Sequence, residues 1–177
     1  MSGVRRIIVG VSGSPGSLQA LRHATDLARS HQAVLVPVLA WTPPGGELAD
    51  RSRPSPYLRK VWRDAAWQRF WAAVDLGLGG IPDDLAFQPA VVRGEPGQVL
   101  TGVASQPDDL LVIGAGRRGA LAHAVSCRVS RYCVAHAACP VVAVPPPALV
   151  QASHGLRGWT LRHRGLSSAD LELPAAH

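Results

Sequence analysis

Lysine is almost missing from this chain. Lys60 is the only one among 177 residues, and Met1 is the only methionine. A Walker-type phosphate loop needs a Gly-Lys-Ser or Gly-Lys-Thr run to set a lysine against the β- and γ-phosphates, and no such run exists. Carboxylates are missing from the whole stretch between Asp109 and Asp170. Cysteine is sparse: Cys127, Cys133 and Cys139 are odd in number and form no CxxC pair, which excludes a disulfide framework and a zinc ribbon. No segment approaches the about 20 apolar residues that a membrane-spanning helix needs. Residues 1–11 also lack the apolar core and small-residue cleavage site of a secretory signal, so the expectation is a cytoplasmic protein.

What is present points to one globular domain. The apolar fraction is 47%, too high for a disordered chain. The formal charge of +6 comes almost wholly from arginines scattered along the sequence. A nucleic-acid surface would gather them on one face with aromatic or polar readers between them. Arg157, Arg162 and Arg164 do gather near Trp159, but in a tail without periodic pattern, and nucleic acid is not expected as a partner.

Apolar runs alternate with amphipathic ones. Residues 6–11, 33–41, 86–93, 110–113 and 141–144 are rich in Val, Ile and Leu and read as buried strands. Helices are predicted over 15–30, 57–78, 97–104 and 120–137. The first opens on Ser14 as N-cap and Pro15, and carries the stripe Leu18, Leu21, Ala24, Leu27 and Ala28. Residues 42–56, rich in Pro, Gly and charge, read as a loop. This alternation predicts a three-layer α/β domain, a parallel sheet with helices on both faces, over residues 1–147. Residues 148–177 read as a flexible tail. The ligand crevice of such a sheet lies at the carboxyl ends of the strands, where strand order reverses. Val11, Ser12, Gly13, Trp41 and Gly114 occupy those ends.

The second predicted helix carries two aromatic stripes: Trp62, Ala66 and Phe70 on one, Trp67, Trp71 and Val74 on the other. Core packing accounts for both, and a partner surface at Trp67 and Trp71 is the sharper alternative.

Chemistry is thin. Gly114-Ala115-Gly116-Arg117-Arg118-Gly119 matches GxGxxG between a strand and a helix, a pattern in which free N–H groups receive phosphate. A dinucleotide site also needs a carboxylate about 20 residues on for the ribose hydroxyls, and none is there. Ser12 and Ser14 do not stand in a GxSxG elbow. Cys127 and His123 have helical i,i+4 spacing, half of a metal site at most, and small residues buried on a helix explain them as well. No acid–base pair or metal site is identified, and the residues assign no cofactor.

Three separated segments carry a resemblance. Ile7-Ile8-Val9-Gly10-Val11-Ser12-Gly13-Ser14-Pro15-Gly16-Ser17 resembles the opening of universal stress proteins, commonly VGVDGSPxS. Val91-Val92-Arg93-Gly94-Glu95-Pro96 is similar to their VxxGxP segment. Leu111-Val112-Ile113-Gly114, followed further on by Ala138-Cys139-Pro140-Val141-Val142-Ala143-Val144, is similar to their C-terminal signature. The resemblance implies a five-stranded parallel sheet in order 3-2-1-4-5. It also implies a homodimer through the last strand, residues Val141, Val142, Ala143 and Val144.

Many members bind ATP through G-x2-G-x9-G-[S/T] after the fourth strand. Aligned by its flanks, this chain keeps Gly114 but has Arg117, Cys127 and Arg128 at the other three positions, while Val129 and Ser130 match the next turn. Ser12 stands where an aspartate is usual. A Cβ at a loop glycine blocks close backbone approach. Arg128 replaces a small hydroxyl with a long cation, and Ser12 removes an acceptor for ribose or base. The first reading is a non-enzymatic stress-response dimer that binds ATP weakly or not at all. The second is an ATP-binding, slowly hydrolysing member in which Arg117 and Arg128 supply charge-assisted bonds to the phosphates. The third is an interaction module acting through Trp67, Trp71 and the tail.

Overall fold

The computed structural model describes residues 3–115 and 123–145. Five parallel strands alternate with helices in the order β1 (Arg6–Gly10), α1 (Pro15–His31), β2 (Val34–Trp41), α2 (Gly46–Ser52), α3 (Pro56–Leu78), β3 (Ala90–Arg93), α4 (Pro96–Val103), β4 (Asp109–Gly114), α5 (His123–His136) and β5 (Val141–Val144). The sheet order is β3-β2-β1-β4-β5, as the resemblance implied.

β1 lies at the centre, and its Ile7, Ile8 and Val9 are fully buried. Successive side chains alternate faces. Ile7 and Val9 therefore meet α1 through Leu18, Leu21 and Ala24, while Ile8 meets α4 and α5 through Val99, Leu100 and Cys133. α1 begins where expected, with the Ser14 hydroxyl accepting from the Ser17 N–H at 3.3 Å. Its buried face is wider than the apolar stripe alone, taking in Ala20 and Thr25, and Thr25 returns its hydroxyl to the Leu21 carbonyl at 2.9 Å.

Two expectations change. Residues 86–93 do not form one strand: the ladder holds only Ala90–Arg93, preceded by an isolated bridge from Phe87 to Leu35. Pro89 lies between them and has no N–H to donate, so pairing stops there and resumes after it. Residues 42–56 are not all loop, because Gly46–Ser52 forms α2.

The aromatic stripes of α3 pack on one another and on the sheet. Phe70 is fully buried, Trp67 stacks on Trp71 at 6.0 Å between ring centres, and Trp71 stacks on Phe87 at 6.4 Å. The two indoles are half-buried in this cluster. At the amino-terminal end of the sheet, Asp109 lies buried at the start of β4. It accepts from Arg6 Nε at 2.7 Å, from Arg6 Nη2 at 2.6 Å and from the Gln106 N–H at 2.9 Å. Burial pushes its carboxyl pKa up, but these bonds more than reverse that and hold it below the ordinary 3.8. Among the described residues no helix is long and apolar enough to cross a membrane.

Candidate nucleotide crevice

Strand order reverses between β1 and β4, and the end of β4 lies there against the start of α1. The turn after β1 is knit by serines. The Ser12 N–H donates to Ser17 Oγ at 3.2 Å, Ser17 Oγ donates to the Ser14 carbonyl at 3.0 Å, and the Ser12 and Ser14 hydroxyls share a hydrogen at 3.1 Å. Val11 is buried and its N–H donates to the Val38 carbonyl at 2.8 Å, whereas Ser12 and Gly13 are exposed.

Gly114 ends β4 directly against the start of α1. A Cβ there would lie 2.7 Å from the Gly16 carbonyl oxygen and 3.2 Å from the Ser17 nitrogen, so only glycine fits. This contact brings the end of β4 against the segment that follows β1. From α5, Ser130 Oγ donates to the Gly114 carbonyl at 3.2 Å. Val129 packs beneath on Ile8 and its neighbours, and Arg128 is exposed beside it. Gly114 thus touches the start of α1 and accepts from Ser130, which joins the β1 turn, the end of β4 and α5, while Val11 and Val129 pack in separate cores on the two sides of the sheet. Arg117 lies outside the described residues; for Cys127 the structure describes only the helical backbone.

Trp41 sits apart. It is 7% exposed, faces α3 with Leu39 and Phe70, and carries the Arg93 guanidinium 5.8 Å above its ring. The carboxyl end of β2 is therefore filled by protein side chains.

Sequence reasoning missed one group. A cavity of about 300 Å³ opens between the start of α4 and α5, lined by Glu95, Pro96, Gly97, Gln98, Arg128, Val129 and Tyr132. It sets Glu95 and Arg128 on the lining of one pocket. The VxxGxP-like segment held the signal, since it ends at Pro96, where α4 begins. The pairing with Tyr132 required the packing of α4 on α5. Among the described residues no three His, Cys, Asp or Glu side chains gather as a metal site would need.

The comparisons with known proteins fall on this frame. No curated protein matches the sequence. Among solved structures the chain is similar to a universal stress protein in complex with cAMP, at 23% identity and TM-score 0.50, covering 81% of this chain and 98% of that one. It is also similar to universal stress protein UspA from Lactobacillus plantarum, at 22% identity and TM-score 0.57, covering 81% and 99%. A universal stress protein from Archaeoglobus fulgidus gives 20% identity and TM-score 0.50, over 79% and 98%. At these identities the likeness shows the fold. Family membership rests on the match of the universal stress protein family model to residues 3–145, and by that match the chain belongs to the universal stress protein family.

Proposed function

We propose that this chain is a non-enzymatic, cytoplasmic stress-response protein that binds adenine nucleotide weakly or not at all at the β1–β4 crevice. The observation that carries the reading is the substitution pattern around Gly114. The glycine that lets β4 approach α1 is kept, while Arg128 stands exposed where a small hydroxyl would receive phosphate. Ser12, in the aspartate position, spends its hydroxyl on Ser14. A crevice that has kept its architecture and lost its polar partners is a frame without a strong ligand contact.

The second reading keeps ATP as cofactor, held through Arg117 and Arg128. It is favoured by the position of Arg128 on the lining of the 300 Å³ cavity and by the cAMP bound in a structural relative. Calorimetric titration with Mg-ATP, and separately with cAMP, tests both. No heat up to millimolar nucleotide supports the first reading, and micromolar binding overturns it. The double change C127G/R128S sharpens the choice: it creates or strengthens binding on the first reading and weakens it on the second.

The proposed homodimer pairs β5 with β5. Carbonyls of Pro140 and Val144 accept from Leu111 and Ala115 of the β4 side. The intervening residues Val141 and Ala143 therefore turn their amides outward, as alternation in a parallel ladder requires. The third reading, partner capture at Trp67 and Trp71, rests on the part of the two indoles that the aromatic cluster leaves open.

A further inference from the structure

α2 is tied to the carboxyl end of β3 and to α3 by ion pairs, and none of its described residues belongs to an apolar core cluster. Trp41 and Arg93 are register partners at the last rung of these strands. Arg93 reaches over the Trp41 ring and donates to Glu47 through Nε at 2.9 Å and Nη2 at 2.6 Å. The same Nη2 donates to Asp50 at 2.7 Å, and Arg59 from α3 adds its Nε to Asp50 at 2.9 Å. Glu47 is thus held by the sheet arginine and Asp50 by that arginine and an arginine of α3, and Asp50 is only 4% exposed.

Other forces on α2 are weak. Seven residues are too few for a helix to persist alone in water. Its large apolar side chain, Leu48, is 78% exposed and contributes little burial. Its N-terminal flank is Gly45 and Gly46, both at positive φ (84° and 82°), a turn that other residues enter only with strain. Its C-terminal flank runs into Arg53 and Pro54, where helical conformation is disfavoured. A short element between a glycine hinge and a proline stop, attached by ion pairs rather than apolar area, opens without disturbing the core.

We propose that α2 is an ionically latched strap that swings as a unit about Gly45–Gly46 at one end and the Arg53–Pro54 helix stop at the other, freeing the Arg93 guanidinium that lies over the Trp41 ring at the carboxyl ends of β2 and β3. Arg93 is the latch, because it alone joins Trp41, Glu47 and Asp50. Salt screens the more open Arg93–Glu47 pair and acts less on the buried Asp50 contact, so ionic strength loosens the latch in part.

Amide hydrogen exchange by mass spectrometry on the full chain, without nucleotide, tests this apart from the nucleotide reading. In Arg93→Gln, peptides covering 46–52 exchange about tenfold faster or more, while peptides from β1 and β4 keep the parent rate. Raising salt in the parent moves the same peptides in the same direction. Glu47→Gln, at a more exposed position, gives a smaller increase and serves if Arg93→Gln folds poorly. Arg29→Gln, which breaks the arginine–carboxylate pair with Asp84 elsewhere, leaves 46–52 unchanged. Unchanged exchange of 46–52 in both Arg93→Gln and Glu47→Gln would overturn the latch. So would a rise shared equally by β1 and β4, since the pairs would then hold the whole fold.

Discussion

At the scale of single residues, Gly114 carries the closest backbone approach in the crevice. Gly114→Ala would press a methyl to 2.7 Å from the Gly16 carbonyl, which neither β4 nor α1 can easily yield. Overpacking of this kind costs about 1–3 kcal/mol, read as a lower urea midpoint at unchanged slope. Cys133 is the second case. It is buried on the inner face of α5, and burial pushes its thiol up to about 11. Since the thiolate is the nucleophile, Cys133 should react with a thiol reagent at neutral pH only at the rate at which the protein unfolds. Rapid stoichiometric labelling of Cys133 in the native protein, located by peptide mapping, would contradict this. Neither role was legible from the residues one at a time. Gly114 was picked out by its motif, but its purpose is contact with α1, 98 positions earlier at Gly16.

At the scale of elements, α3 is held by the aromatic cluster. Phe70 meets Trp67 edge-on at 5.6 Å and Trp71 at 5.0 Å, over the buried Leu39 and Trp41. Phe70→Ala would leave a cavity beneath two indoles, at a cost of about 4 kcal/mol in chemical denaturation. The mirror case is β5. Ala143→Pro removes an outward amide donor and spares the bonds to β4, so it should convert the proposed dimer to monomer by light scattering without loss of helix signal. The strands were readable because a parallel sheet covered on both faces demands continuous apolar runs, and Ile7-Ile8-Val9 is such a run. α2 was not readable. Glycine and proline flank it, and what holds it is a contact between Glu47 and an arginine 46 positions away.

At the scale of the whole molecule, acid sensitivity has a definite source. Asp109 binds its proton less readily in the folded state than in the unfolded chain, so its contribution is complete above pH 3.8 and is lost as pH falls below that value. Glu47, Asp50 and Asp84 are also lowered by their arginine partners, and so the fold should lose stability steeply only below about pH 4. Asp109→Asn should flatten that acid limb and cost on the order of 3 kcal/mol near neutrality, because it strands Arg6 beside a neutral group. Melting temperatures followed from pH 2 to 7 for both proteins check the two statements together.

Sequence alone determined the class of fold and the family resemblance. These follow from local periodicity, from capping residues such as Ser14 and Pro15, and from three motifs in order. Tertiary structure decided the rest. It filled the end of β2 with Trp41 and Arg93, joined Glu95 to Arg128 around one cavity, and turned a stretch of glycine, proline and charge into a helix. In each case the deciding contact links side chains far apart in the chain, and only packing brings such groups within reach of one another.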